Sequence, residues 1–331
     1  MERHRQLVRL PALLHDVGHS PFSHASEELF PDQEDGNGKY GHEQYSAAIV
    51  RGPLRSAIED HKLNHANCGF TADNVADLIE GGAGAKQGIF WRDLISSQMD
   101  ADRMDYLSRD AYHAGVQYGR FDLHRLISTV TALETGEGKV RLGIEEGGLH
   151  AAEGLVLARY FMFTQVYFHK TRSAYDIHVR EALRELLPGG QFPSPGDLNN
   201  YMAWEDWRVL GLLSNGGGGE HGRRLCDRDH YRLVYQTSEV QSEKDREKLQ
   251  AAREALGDLL AGEVPAAKSW YKTGVTDIAV IEEQSRRTRP LSEFSKVVKS
   301  LGANNQVLLY SRPEDRREAR SRLKGIVDGL E

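Results

Sequence analysis

The 331-residue sequence predicts a mainly α protein, a helical core followed by a smaller α+β C-terminal lobe. Three observations carry that expectation. Residues 90–130 and 148–187 read as almost wholly helical, the second with aromatic and β-branched side chains recurring between Tyr160 and Tyr175. Around residue 188 the texture changes, where PGGQFPSPGDL punctuates the chain. Beyond it, short apolar runs alternate with charged helical stretches, placing a first domain over 1–187 and an α+β region over 188–331.

The elements follow in order. RQLVRLPALLHDVGH reads as the late part of a helix, with Leu7, Leu10, Leu13 and Leu14 on one apolar face and Pro11 interrupting it. Turns at Gly18 and Pro21 and the polar loop PDQEDGNGKYG lead to a helix opening near His42. A helix over Phe70–Glu80 stops at Gly81-Gly82. After residue 188, NGGGGEHG reads as a flexible loop and Glu239–Leu260 as a charged helix. Asp277–Glu282 reads as a strand, Leu291–Leu301 as a short helix, Gln306–Tyr310 as a strand, and a last helix starts near Pro313. No internal repeat is evident.

Composition narrows the function classes. A hydrophobic fraction of 39% with no long uncharged apolar run excludes a membrane-spanning helix, and MERHRQLVRL lacks the apolar stretch of a signal peptide, so a cytoplasmic, membrane-free protein is expected. Cys68 and Cys226 form no CxxC pair and are read as structural thiols. The formal net charge of -7 gives no strong nucleic-acid signal. Seven of the 14 histidines, His4, His15, His19, His24, His42, His61 and His65, fall within the first 65 residues. That skew points to a site.

In LLHDVGHSPFSH, His15 and Asp16 offer an imidazole nitrogen and a carboxylate at consecutive positions, a donor pair suited to a divalent metal. His19 lies four residues after His15 and shares its face if the helix continues. A turn at Gly18 and Pro21 aims His24 and Glu27 back into the same cavity, and His42 joins from the next helix. Much later, QMDADRMDYLSRDAYHAG puts Asp102, Asp105 and Tyr106 within about one helical turn. Arg103, Tyr106 and Asp110 recur there at steps of three and four. Such a face offers a metal carboxylate, a guanidinium for phosphate, and a hydroxyl and carboxylate for a sugar hydroxyl.

HDVGHSPFSH, followed by His42-Glu43 and then DADRMDYLSRD, resembles the HD-domain deoxynucleoside triphosphate triphosphohydrolases over roughly residues 8–185. The resemblance implies an HD-domain helical core and a divalent metal ion (Fe, Mn, Mg, Zn or Ni) held by His15, Asp16 and Asp102. It implies catalytic His19, His24, Glu27 and His42. Contacts to phosphate and the sugar 3′-hydroxyl fall on Arg103, Tyr106 and Asp110, with Arg103 replacing the lysine of some members. The segment YFHKTRSAY adds Tyr167, His169 and Lys170 on the substrate side. A dNTP substrate, a nucleotide effector and a homo-oligomer complete what the resemblance implies. The family's first metal histidine lies upstream of the doublet in an RxxHS-like sequence. Only fourteen residues precede His15, and His4, in ERHRQ, does not match, so a late start that omits this ligand is expected.

The expected chemistry is attack of a cation-activated water on the α-phosphorus. His24 protonates the departing 5′ oxygen, and Glu27 and His42 tune His19. Two rival readings share the motifs. One is a nucleotidase or phosphodiesterase acting on a monophosphate, a cyclic nucleotide or an alarmone; the other is a nucleotide-binding regulatory module with a degenerate site. Tyr106 and Asp110 favour the sugar-recognising enzyme. His61 and His65 read as solvent-facing, GGAGAKQG as a turn lacking P-loop spacing, SEKDREKLQAAREAL as a solvated helix face, and Arg286, Arg287 and Arg289 as a surface cluster.

Overall fold

The computed structural model describes residues 2–81, 90–134, 140–268, 277–301 and 304–327. Its longer helices in the first half are α1 (Glu2–Leu14), α2 (His42–Arg51), α3 (Arg55–Glu59), α4 (Lys62–Asn67), α5 (Ala72–Glu80), α6 (Ala101–His113), α7 (Leu123–Thr129) and α8 (Leu149–Met162). Then come α9 (Lys170–Leu186), α10 (Leu198–Met202), α11 (Asp206–Ser214), α12 (Gly219–Cys226), α13 (Glu243–Leu256), α14 (Leu291–Phe294), α15 (Lys296–Ser300) and α16 (Arg316–Val327). The strands are β1 (Val130–Glu134), β2 (Val140–Glu145), β3 (Arg232–Gln236), β4 (Gly262–Lys268), β5 (Ala279–Ile281), β6 (Thr288–Pro290) and β7 (Asn304–Ser311). The protein is mainly α with a small β component, and no described helix is long and apolar enough to cross a membrane.

Contacts group the chain into two units. The first comprises Met1–Met162, Phe192–Glu205 and Tyr271–Ser300, the second Phe163–Gln191, Asp206–Trp270 and Leu301–Glu331.

In the first unit α1, α2 and α5 pack through Leu7, Val50, Val75, Leu78 and Ile79, with Leu10 and Leu14 against them. Leu13 departs from the expected apolar face and is 74% exposed. At 100° per residue it sits about 120° around the helix from Leu7, which takes it off the buried stripe. Helix α5 begins where the Thr71 hydroxyl accepts the Asn74 N–H and the Asn74 side chain accepts the Thr71 N–H. It ends on Gly81, whose φ of 78° suits a residue without a Cβ. Residues 192–205 add an aromatic wedge, in which Tyr201 lies 4.1 Å from Tyr45 and Phe192 lies 5.8 Å from Phe30, ring centre to ring centre.

Three expectations for this unit need correction. Residues 90–130 are not one helical stretch: 95–100 and 114–122 break it, because the chain must deliver the N-cap Asp100 and the Asp122 cap of α7. The first half also carries β1 and β2, antiparallel from Val130↔Ile144 to Glu134↔Val140, in a sheet ordered β1-β2-β5-β6. Leu142 and Ile144 are buried in it. The expected helix over 291–301 divides into α14 and α15 at Ser295.

The second unit is built on the antiparallel sheet β3-β7-β4. Successive β7 side chains point to opposite faces. Val307 and Leu309 pack with Leu249, Leu256 and Leu323 of α13 and α16. Leu308 and Tyr310 pack with Ile177 of α9 and with Tyr231. The expected loop at 215–222 turns into α12 from Gly219 onward; Gly218 opens it with φ 73°, where a Cβ would also come within 3.0 Å of Ala182. The run of glycines there serves close packing as well as turning.

Candidate active site

Helix α1 ends at Leu14, and one last helical bond, His15 N–H to Pro11 O at 2.8 Å, hands the chain to a tight turn. The next bonds, Val17 N–H to Leu14 O and His19 N–H to Asp16 O, bring His15, Asp16 and His19 side by side without a continuing helix. Gly18 makes this turn fit: a Cβ would fall 2.2 Å from Ser46 N and 2.5 Å from His42 O. The turn is clamped at three points. Gly18 N–H donates to Ser46 Oγ at 2.9 Å, the Ser46 hydroxyl donates to His15 O at 2.5 Å, and the Tyr201 hydroxyl donates to Gly18 O at 2.6 Å. Phe22 and Ser23 then take positive φ values of 65° and 53°, unfavourable for residues with a Cβ. Buried Ser26 holds that bend by donating to Pro21 O at 2.7 Å beside Ser20 Oγ at 2.7 Å. The bend carries His24 and Glu27 back toward His19.

Two donor groups result. His15, Asp16 and Asp102 present one nitrogen and two carboxylate oxygens within 4.8 Å of one another. His15 Nε2 lies 3.2 Å from Asp16 Oδ1 and 3.8 Å from Asp102 Oδ1. Its Nδ1 sits 3.0 Å from Ala12 O, so the carbonyl holds the ring proton there and leaves the Nε2 lone pair facing the carboxylates. This donor set fits a divalent cation. Asp102 stands in the first turn of α6, and burial followed by the neighbouring Asp16 raises its carboxyl above the ordinary value despite the pull of His15. A cation at this point relieves both penalties.

The second group is His19, His24, Glu27 and His42. Glu27 Oε1 lies 2.6 Å from His42 Nδ1, 3.0 Å from His24 Nδ1 and 3.7 Å from His19 Nδ1. The His19 and His42 rings stack at 3.9 Å with an interplanar angle of 19°. Burial pushes the Glu27 carboxyl up, but the bonds from His24 and His42 outweigh it and hold Glu27 well below the usual carboxylate range. His42 is raised: burial lowers it, and Glu27, Glu43 and Asp16 more than offset that. Asp16 joins the groups, its Oδ1 being 3.6 Å from His19 Nε2 and 3.7 Å from His42 Nε2. Burial raises Asp16 as well, yet the surrounding His19, His15 and His42 bring it below the ordinary value.

Helix α6 supplies the third side. Its N-cap Asp100 is 3% exposed and accepts the Arg103 N–H at 2.7 Å and the Ser97 N–H at 3.0 Å. Arg103 Nε lies 3.6 Å from Asp100 Oδ2. Tyr106 and Asp110 follow half-buried on α6, whereas Asp105 is exposed and pairs with Arg109. Sequence reasoning missed Arg159 on α8, which is 8% exposed, donates to Gln98 Oε1 at 3.1 Å and hydrogen-bonds Tyr106. Burial and then the like charge of Arg103 lower the Arg159 guanidinium from its ordinary value, so an anion beside the pair stabilises both. The available signal was one arginine inside the apolar run GLVLARYFM.

The structure thus brings together His15, Asp16 and Asp102, the cluster His19, His24, Glu27 and His42, and the α6 face. His4 stacks on Trp91 at 5.5 Å and is no part of either donor group. His61 and His65 are exposed, with His61 accepting the Leu63 N–H as an N-cap. Tyr167, His169 and Lys170 belong to the second unit. There His169 Nδ1 accepts the Thr171 N–H at the start of α9, Tyr167 O accepts from Arg172, and Lys170 O accepts the Tyr310 hydroxyl. GGAGAKQG lies almost wholly outside the described residues. Both cysteines are free thiols, Cys68 buried and Cys226 exposed.

Comparison with known proteins matches residues 1–110 to the HD domain and residues 121–321 to the HD associated region. The chain is 42% identical over 171 residues to the uncharacterized protein YwfO of Bacillus subtilis (strain 168), covering 51% of this chain and 35% of that one. It is 29% identical over 190 residues to the deoxynucleoside triphosphate triphosphohydrolase SAMHD1 homolog of Dictyostelium discoideum, covering 56% and 34%. It therefore spans about a third of the length of these curated relatives. A crystal structure of a hypothetical protein from Aquifex aeolicus aligns with 97% of this chain and 80% of its own, with TM-score 0.77 and 28% identity.

Proposed function

The chain belongs to the HD-domain family that carries an HD associated region, a dNTPase-like family of phosphohydrolases, and on that premise we propose that it hydrolyses a deoxynucleoside triphosphate to a deoxynucleoside and inorganic triphosphate. One observation carries the reading: Asp16 Oδ1 is shared between His15 and the stacked His19–His42 pair, so the metal-type donors and the histidine–glutamate relay open on one point. His15, Asp16 and Asp102 would hold a divalent ion, which would supply Lewis acidity toward a phosphoryl oxygen and make water a better acid.

The chain's own residues do the rest. Arg103 and Arg159 place two guanidiniums against a polyphosphate, where fork-shaped donors match phosphate oxygens. The Tyr106 hydroxyl and the Asp110 carboxylate take the sugar hydroxyl. Glu27 holds the Nδ1 protons of His42 and His24, which turns their Nε2 atoms outward; His24, 64% exposed, delivers the proton to the departing 5′ oxygen. His19 stacks on His42 beside the reacting phosphate. Catalysis is assigned to the helical core before residue 188, and a homo-oligomer responsive to a nucleotide effector belongs to the same proposal.

Incubating metal-loaded protein with each of the four dNTPs tests it. Inorganic triphosphate with free deoxynucleoside supports the reading. Orthophosphate or pyrophosphate as the first product overturns it in favour of a nucleotidase or pyrophosphohydrolase.

A further inference from the structure

Helix α16 buries Ala319 and Leu323 against the second unit's core. Its outer side carries Arg316, Arg320 and Lys324 at four-residue steps, with Arg317 one position on; all four are exposed. Of the neighbouring carboxylates, Asp315 directly precedes Arg316, and the others are engaged elsewhere. Glu314 lies 3.2 Å from Arg224, while Glu318 at 2.6 Å and Asp258 at 3.1 Å both hold Arg322. Arg316, Arg317, Arg320 and Lys324 have no carboxylate partner among the described residues, although the whole chain carries a net charge of -7. The placement is also unfavourable in itself. Arg316 and Arg317 occupy the first turn of α16, where the helix macrodipole favours negative charge. Glu318 shares that turn and Asp315 precedes it, yet Glu318 is held by Arg322, so the two arginines still favour an added anion.

These four side chains, with Pro313, Glu314 and Ser321, line an open groove of about 780 Å³. From Arg316 to Lys324 it runs about 12 Å at the helical rise of 1.5 Å per residue. No aromatic side chain lines it, so it offers no platform on which a base could stack. Recognition must therefore rest on charge and on guanidinium–phosphate geometry. The short length disfavours a long polyanion, which would extend beyond these four cations.

We propose that the α16 groove is a binding site for a short linear oligophosphate, whose oxygens are taken by Arg316, Arg317, Arg320 and Lys324. The site lies within the second unit and stands whether or not the proposed hydrolase reading holds.

The probe is inorganic tripolyphosphate, added to the full chain with hydrogen–deuterium exchange read peptide by peptide and with calorimetric titration. The expected result is slowed exchange over 313–324 and saturable binding that weakens when salt rises from about 50 to about 200 mM. The variant Arg316→Ala/Arg320→Ala/Lys324→Ala changes only exposed side chains; it should keep the wild-type melting temperature, lose the protection over 313–324 and bind about tenfold more weakly or worse. Arg320→Gln alone should fall between the two, which keeps the test decisive if the triple variant folds poorly. Three results would overturn the proposal. They are absent protection over 313–324, equal protection in wild type and variants, and protection by a single-stranded oligonucleotide but not by tripolyphosphate, which would reassign the surface to nucleic acid.

Discussion

Ser46→Ala is the sharpest probe of how the fold holds the His15–Asp16 turn. The Ser46 hydroxyl accepts the Gly18 N–H at 2.9 Å and donates to His15 O at 2.5 Å, and Ser46 is 0% exposed. Alanine removes both bonds and leaves the buried Gly18 N–H without its acceptor. A lost buried hydrogen bond costs about 0.5–1.5 kcal/mol net and an orphaned buried donor about 1–3 kcal/mol, so the change should destabilise by roughly 2–4 kcal/mol. For a unit of this size each kcal/mol lowers Tm by about 2–4 °C, giving a fall of roughly 5–15 °C. Because the turn aims His15 and Asp16, affinity for a divalent ion should drop by roughly 10–100-fold, the range seen when groups orienting metal ligands are removed. Differential scanning calorimetry and metal titration against a chelating dye read the two effects separately. A variant with wild-type Tm and wild-type metal affinity would refute the clamp.

Gly18→Ala should be more severe, since its Cβ would meet backbone atoms of His42 and Ser46 at 2.5 and 2.2 Å. Loss of soluble folded protein, or of metal binding, is expected in expression trials, and an unperturbed variant would show that the turn is less constrained than its packing implies. Arg159→Ala should leave metal binding intact and raise KM for the nucleotide about tenfold or more, as expected when a phosphate-binding guanidinium is removed; equal KM values would remove Arg159 from the site. A fourth prediction concerns pH. The Tyr231 N–H donates to His178 Nε2 at 3.1 Å, which confines the ring proton to Nδ1, 2.9 Å from His221 Nδ1. Burial, then the charges of His221 and Arg224, lower His178 from its ordinary 6.5 to about 3. The folded state therefore binds fewer protons than the unfolded chain. The contribution is complete above pH 6.5 and is lost as pH falls toward 3, at up to about 1.4 kcal/mol per pH unit. Urea midpoints at pH 7 and pH 5 should differ by the equivalent of roughly 2 kcal/mol more in wild type than in His178→Gln; an identical difference in the two proteins would count against it.

What could be read from the sequence depended on the range of each interaction. The clustering of His15, Asp16 and Asp102 and of His19, His24, Glu27 and His42 was legible because the motif residues are dense and the early turns are marked by Gly18 and Pro21. Helices α6 and α9 were legible as long helix-like stretches, and α2, α5 and α16 from the loop, glycine and proline signals that bound them. The clamp was not. Tyr201 reaches Gly18 across 183 positions, and nothing local in NNYMAW announces that partner. Arg159 is not legible in sequence because one charge in an apolar helix resembles a snorkelling surface residue until its burial is known. The β1–β2 pair escaped because five- and six-residue strands carry few repeats of the period-two signal. The glycine run at 216–219 hid α12 because glycine weakens helical propensity while permitting the close packing used there.

We propose that His15, Asp16 and Asp102 would hold a divalent ion and that this chain cleaves a dNTP to triphosphate. Phosphorus NMR of the products formed by manganese- or iron-loaded wild type and by Asp102→Asn tests it most directly. Wild type is expected to release inorganic triphosphate and Asp102→Asn none, with the variant's metal content falling in parallel. Pyrophosphate or orthophosphate from wild type, or triphosphate formed at the same rate by Asp102→Asn, would contradict it.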